Sequence, residues 1–581
     1  MELSAEQKKI IDSSEPCTVL GRAGTGKTTA MIEKAAWLMK QGLGPEDICF
    51  VKFSYRSMLQ LRYQLEQRFG KKAEQFVIGT MRDLPLLSMQ ENMPKDGPEL
   101  IDNTYVRRLL RQAMEEVGFE GTVHEAEHVV RAFKSRGRKP SPDEAFYNVF
   151  EAYKSLLEQN NMIDRHDLVR QHIIGMRNDS YAPCPVRAIL VDDVQDATQI
   201  QLLWLVDHLK AGIRLWAFGN DDMCLFNLDG ALGSGVFEDL EELNDLPRHI
   251  LPYNFRHEGV IERAAEALLK PLKGRLVKGQ INQDSTAGDI DIFTARGPEE
   301  EAVRLVEKIK SIKKTNPESR IGVVVRHDLQ VRWVENALRT AGVQYSTFAR
   351  ALWETPGALM ILDLLEVLVN RSNEAKLKNL FSGYGITQQA IEVLFSHGLV
   401  ADDWLKRGAQ LPNDIEMDMP KAALTAISTL QRRMIGYYKL MPKAGPKTVF
   451  KAAAYDLIER MRDEDKNDAL HALDELLTLK GRLPELLPKL RDIPEPKPSV
   501  DVVVAPVREV RNMEFEHVFV PYVTHKSYPL NYKVLGTDEE AERRLLYAAI
   551  TRGRYAVHLS YCGQASTFLN EIKPYMASEA A

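Results

Sequence analysis

The segment Gly21-Arg-Ala-Gly24-Thr25-Gly26-Lys27-Thr28 sets glycines, a lysine and a hydroxyl in the order G-x-x-x-x-G-K-[ST]. The chemistry open to that set is the cradling of a nucleoside triphosphate. Glycine lets successive backbone N–H groups wrap phosphate oxygens, and the positive end of a helix starting at the loop favours their charge. In such a cradle Lys27 reaches the β- and γ-phosphates of ATP and the Thr28 hydroxyl ligates Mg2+, while Gly21, Gly24, Thr25, Gly26 and Thr29 line the loop. The motif needs a strand before it and a helix after it. Cys17-Thr-Val-Leu20 is a short apolar run and Met31 to Leu38 carries a helical pattern, which sets aside a chance glycine loop.

The second half of such a site is an acid at the end of a buried strand. Ala188-Ile-Leu-Val191-Asp192-Asp193 supplies one. Asp192 would hold Mg2+ through its water shell, and Asp193 stands where a base orients the attacking water. An acidic pair after a strand is common on any surface, so it gains meaning from the P-loop rather than alone.

These residues need elements that hold them. Short apolar runs recur at Ile48-Cys-Phe-Val51, Leu215-Trp-Ala-Phe218, Ile321 to Val325, Val502 to Val504, His517 to Val520 and Ala556 to Ser560, each beside a helical pattern. Continuous apolar strands alternating with helices predict parallel sheets covered on both faces. Two largely helical stretches, 86–186 and 372–497, interrupt the alternation, and the second ends in the proline-rich Ile493-Pro-Glu-Pro-Lys-Pro498. The expectation is therefore two α/β cores, 1–85 plus 187–258 and 259–371 plus 498–581, each with a helical insertion. A length of 581 residues suits roughly three or four domains. The net charge of −6 announces no global basic field, although a basic groove can sit on an acidic protein. Five scattered cysteines without a CxxC pair suggest neither a disulfide framework nor a zinc site. With no signal-like start and no apolar run of membrane-spanning length, a cytoplasmic protein is expected.

Taken in order, further blocks resemble the motifs of the UvrD/Rep-like branch of superfamily 1 helicases over nearly the whole chain. Leu3-Ser-Ala-Glu-Gln7 resembles the adenine-reading motif, with Gln7 as the contact, and Lys52-Phe53-Ser54-Tyr55-Arg56 looks like motif Ia, which lies on single-stranded DNA. Ile189 to Asp196 is similar to L-V-D-E-F-Q-D, and Gly219 to Ala231 resembles motif III. Leu251-Pro-Tyr-Asn254-Phe255-Arg256 looks like L-x-x-N-Y-R, which implies Phe255 against adenine and Arg256 on the γ-phosphate. Arg511-Asn-Met-Glu514-Phe515 resembles the end of motif V, with Glu514 near the ribose, and Glu542 to Arg552 is similar to motif VI, with Arg552 as arginine finger. Met162-Ile-Asp164-Arg-His-Asp167-Leu168 resembles a helix of the family's first insertion. The resemblance implies two RecA-like cores, ATP and Mg2+ as cofactors, and a 3′→5′ motor on single-stranded DNA or a single-strand/duplex junction. It implies Phe53, Tyr55, Arg56, Arg82, Phe226, Arg508 and Arg511 as nucleic-acid contacts, against a bland reading as core aromatics and solvated arginines.

The chain also departs from the family pattern. Asp193 replaces a glutamate, Met223 replaces a glutamine that senses the γ-phosphate, and Pro506 opens motif V where a threonine is usual. Motif Ib is Gly79-Thr-Met-Arg82-Asp83, and motif III has Leu228 and Asp229 where an aromatic and an arginine are frequent. Aspartate withdraws its carboxylate by about one bond, and a misplacement of roughly 1 Å can lower a rate about a hundredfold. Two readings follow: a working translocase, or an ATP-gated switch with weak hydrolysis that recruits or regulates a protein partner. A strand of RNA is a third, less favoured, substrate. No nuclease module is expected after motif VI, so cleavage would come from a partner. The basic run Lys134-Ser-Arg136-Gly-Arg138-Lys139 reads as a duplex contact or, more simply, a solvated helix end.

Overall fold

The computed structural model describes residues 3–576 apart from 82, 90–96, 102, 243–244, 282–284, 348–354, 385, 387, 407–418, 462, 479–481, 485–500, 511 and 533. It divides into two compact units, Met1–Phe348 with Val500–Ala581, and Ala349–Ser499. The first unit contains two six-stranded sheets, parallel throughout. Every strand expected from an apolar run is present.

In the first sheet the strands β1 (Cys17–Gly21), β2 (Ile48–Lys52), β3 (Val77–Thr80), β6 (Ala188–Asp192), β7 (Arg214–Gly219) and β8 (Arg248–Leu251) lie in the order β3-β2-β6-β7-β1-β8. β1, β2 and β6 are buried along their whole length, which only uncharged side chains tolerate cheaply; Lys52 and Asp192, at the ends of β2 and β6, are the exceptions. Helices such as Lys27–Lys40 and Gln199–Lys210 cover the faces, with Phe50, Trp216 and Phe218 packed on one side and Trp204 and Leu215 on the other. Because the strands are parallel, the loops leaving β1, β2, β6, β7 and β8 emerge at one edge. That shared edge gathers residues far apart in sequence.

Between β3 and β6 comes a helical region built on Asn103–Val117, Val123–Lys134, Tyr147–Gln159 and Arg165–Arg177. A short parallel ladder joins β4 (Glu99–Leu100) to β5 (Met162–Ile163), and Leu110, Phe133, Phe150 and Tyr153 form its own core. The second sheet holds β9 (Asp289–Ala295), β10 (Ile321–Val325), β11 (Ser346–Thr347), β12 (Val502–Pro506), β13 (Phe515–Val520) and β14 (Gly553–Cys562) in the order β11-β12-β10-β13-β14-β9.

The unit Ala349–Ser499 is helical among its described residues, around Leu364, Phe381, Trp404, Phe450 and Leu473. It includes the helix Pro356–Val369, upstream of the boundary at 372 expected from the sequence. That helix sits so close to the helix Asp463–Thr478 that a Cβ on Gly357 would come within 2.2 Å of the Asp465 carbonyl oxygen. The proline-rich stretch 493–498 lies outside the described residues.

Candidate functional site

The loop after β1 turns through Gly24 and Gly26, at φ +83° and +77°, a region that side-chain-bearing residues avoid. Close approach matters as much as the turn. A Cβ on Gly24 would meet Asn254 Oδ1 at 2.4 Å, and one on Gly26 would meet Gln7 Nε2 at 2.4 Å. Gln7 is itself held at both ends: its Oε1 accepts from the Ser4 N–H (2.9 Å) and its Nε2 donates to the Thr25 carbonyl (3.4 Å). The Phe255 ring, 45% exposed, comes to 3.9 Å of the same Gly26 position, so Gln7 and Phe255 flank one point of the loop. Gly26 caps the helix Lys27–Lys40, whose first turn presents Lys27, Thr28 and the exposed Thr29.

Lys27 Nζ donates to the carbonyls of Gly21 (2.8 Å) and Arg22 (2.7 Å). Burial pushes its pKa down to about 8; Arg256 and Arg552 act the same way, while Asp192 and Asp193 oppose. The Thr28 hydroxyl donates to Asp192 Oδ2 at 2.7 Å. Asp193 follows β6 in the left-handed region at φ +61°, which aspartate tolerates better than most residues, and its N–H donates to Asp192 Oδ1 at 3.0 Å. Lys52, at the end of β2, places its ammonium 2.6 Å from Asp192 Oδ2 and 3.1 Å from Asp193 Oδ2. Sequence reasoning assigned the Lys52 segment to the strand-binding motif. The signal available was a charged residue closing a fully apolar strand beside the one that ends in Asp192.

Two further groups arrive from the second sheet, by the opposite edge: Glu514 and Arg552 immediately precede β13 and β14. Arg256, after β8, pairs through Nε with Glu514 at 3.2 Å, and the Glu258 N–H donates to the Arg554 carbonyl at 3.0 Å. Arg552 is 1% exposed, with its guanidinium on the Ala548 carbonyl (2.9 Å) and the Thr551 hydroxyl (3.0 Å). Burial, then Arg256, push its pKa down; burial first, then Arg256 and Arg552, hold the buried His257 well below the usual histidine range. The helix Glu539–Ile550 before Arg552 is anchored by a buried two-pronged pair, Arg326 to Glu542, at 2.8 and 2.5 Å.

The expected nucleic-acid contacts that the structure describes differ in exposure. Tyr55 is exposed on the first turn of its helix. Phe53 and Phe226 are partly buried against the apolar clusters of the first and second sheets, respectively. Arg508 is half-buried with its guanidinium 5.4 Å from the Phe226 ring centre. The side chain of Arg56 and residues Arg82 and Arg511 lie outside the described residues. Asp229 pairs with the buried His128 at 2.7 Å, tying motif III to the helix Val123–Lys134. The basic run after that helix needs correction: Lys134 is buried between Asp164 (2.8 Å) and Asp167 (2.7 Å), which also cap the helix Arg165–Arg177. Arg136 and Arg138 pair with Glu144.

Comparison with known proteins gives the family. Residues 3–241 match the UvrD/REP helicase N-terminal domain, and residues 250–415 match the UvrD-like helicase C-terminal domain. The chain belongs to the UvrD/Rep helicase family. DNA helicase II of Escherichia coli is 22% identical over 95% of this chain and 83% of its own length. ATP-dependent DNA helicase PcrA of Staphylococcus epidermidis is 20% identical over 97% and 83%. ATP-dependent DNA helicase Rep of Buchnera aphidicola is 21% identical over 97% and 95%.

Within this UvrD/Rep frame, the residues present fit a magnesium nucleotide: the Thr28 hydroxyl and the Asp192 carboxylate are hard oxygen donors 2.7 Å apart at the mouth of the glycine cradle. Met223, in place of the family glutamine, is 7% exposed and joins an apolar cluster with Ala23, Leu225 and Leu272. Asp221 and Asp222, beside it, are held by Lys278 (2.6 and 2.8 Å), and Asp222 also by Arg275 (2.7 Å). That buried set of charges was not legible in the motif. No described helix is long and apolar enough to cross a membrane.

Proposed function

We propose that the chain is an ATP-dependent translocase and helicase on single-stranded DNA, moving 3′→5′, with ATP and Mg2+ as cofactors. In this reading the two six-stranded sheets with their covering helices are the two cores of the motor. Hydrolysis is coupled to their closure. The observation that carries it is the meeting of Lys27, Asp192 and Arg256 from the first sheet with Glu514 and Arg552 from the second around one glycine cradle. Lys27 and Arg256 would hold the γ-phosphate, Thr28 and Asp192 the metal, and Gln7 and Phe255 the adenine. Asp193 would orient the attacking water. Arg552 would bring charge to the transferring phosphoryl group from a separate core, which links chemistry to domain movement. Bound Mg2+ supplies the charge that screens the phosphates. Tyr55, Phe53 and Phe226 remain the aromatic candidates for the strand.

The direct test is ATP turnover by the full chain with and without excess single-stranded DNA. Turnover stimulated by the strand and reduced at least about a thousandfold by Lys27→Ala is expected, since that change removes a phosphate-neutralising group. ATP binding without stimulation would overturn the motor. A second reading, an ATP-gated switch that engages a protein partner such as a nuclease, is favoured by the apolar packing of Met223 and by the hold of Lys52 on Asp193.

A further inference from the structure

Lys52 is 2% exposed at the end of a strand that is otherwise apolar. A buried ammonium is destabilising unless paired, and a buried pair of adjacent carboxylates is equally so. Here each compensates the other. Asp192 Oδ2 already receives the Thr28 hydroxyl at 2.7 Å and the Lys52 ammonium at 2.6 Å, and Asp192 Oδ1 receives the Asp193 N–H. A metal ion reaching for Asp192 therefore meets an oxygen that a fixed positive charge shares. Around the cradle four cations (Lys27, Lys52, Arg256, Arg552) stand against three carboxylates (Asp192, Asp193 and Glu514).

We propose that Lys52 is a resident cation of the nucleotide site, taking over part of the charge neutralisation that Mg2+ supplies on Asp192 and Asp193. Metal-free ATP then finds a more positive cradle, and Mg2+ adds less to its affinity. Lys52 acts through the two aspartates and is a positioning residue. The inference rests on the reading of the cradle as an ATP site.

The experiment is a titration of the full-length protein with a fluorescent ATP analogue, in excess Mg2+ and in EDTA. For the unaltered chain, removing the metal should weaken binding by less than about tenfold. In Lys52→Met, which keeps most of the length and removes the charge, the same change should weaken binding by about a hundredfold or more. Lys52→Arg should behave as the unaltered chain, which separates charge from packing. A loss above about tenfold in the unaltered chain overturns the proposal, and so does an equal metal dependence in Lys52→Met. Should Lys52→Met fail to fold, as a circular dichroism melt would reveal, the EDTA ratio of the unaltered chain decides by itself. No binding in either condition would instead overturn the ATP reading and this inference with it.

Discussion

Met223 occupies a place shaped for carbon, among Ala23, Leu225 and Leu272, so a glutamine returned there has to find a polar partner or remain unsatisfied. Met223→Gln alone should therefore lower the stability of the nucleotide-free protein by about 1–3 kcal/mol, measured by denaturant unfolding. Asp193 raises a different issue, since its backbone is fixed at φ +61° and its carboxylate is held by Lys52 at 3.1 Å. Lengthening it to glutamate carries the carboxylate about one bond further from the strand end. If these two departures limit hydrolysis, Asp193→Glu with Met223→Gln should raise ATP turnover by about tenfold or more. An unchanged rate would place the limit elsewhere.

At the scale of elements, the helix Gln199–Lys210 shows how a buried titratable group ties folding to pH. His208 is fully buried, its Nδ1 on the Trp204 carbonyl at 2.8 Å and its Nε2 accepting from the Cys184 N–H at 3.1 Å, an arrangement that fits the neutral ring. Burial pushes its pKa down to about 4 from 6.5. The unfolded chain then binds more protons between pH 4 and 6.5, so stability falls as pH drops through that window and the loss levels off below it. Between pH 7 and 5 this one group should remove about 2 kcal/mol, seen as a difference between the unaltered chain and His208→Gln in denaturant unfolding at the two pH values. The elements themselves were largely legible. Apolar runs marked β1, β2, β6, β7, β10, β12, β13 and β14, and glycine spacing marked the cradle, because strand burial and positive φ select residue types directly. Lys52, Arg275, Lys278 and Lys134 were not, since a lysine paired inside looks in sequence like one solvated outside; only the fold brings Asp192, Asp222 or Asp164 to them.

Across the whole molecule, the two sheets meet at the glycine cradle partly through Arg256 and Glu514, a pair with half of the glutamate side chain in solvent. Such a pair contributes about 0–1 kcal/mol, weak enough for phosphate to displace. Glu514→Gln should shift unfolding by less than about 1 kcal/mol while tightening ATP binding, because Arg256 loses a competitor; weaker binding would instead support a direct ribose contact by Glu514. The strand order of the second sheet carries a further consequence, for the time of synthesis. β9, β10 and β11 do not neighbour one another; each pairs only with β12, β13 or β14. A ribosome that has released Thr347 has thus made half a sheet with no hydrogen-bonded partner. The missing strands end about 215 residues later, at Cys562. At ~5–20 residues per second that leaves unpaired apolar strand edges waiting for roughly 10–40 s. The first sheet, whose β2 and β3 already adjoin, can begin to assemble long before, so the nascent chain carries a finished half beside one that chaperones have reason to hold.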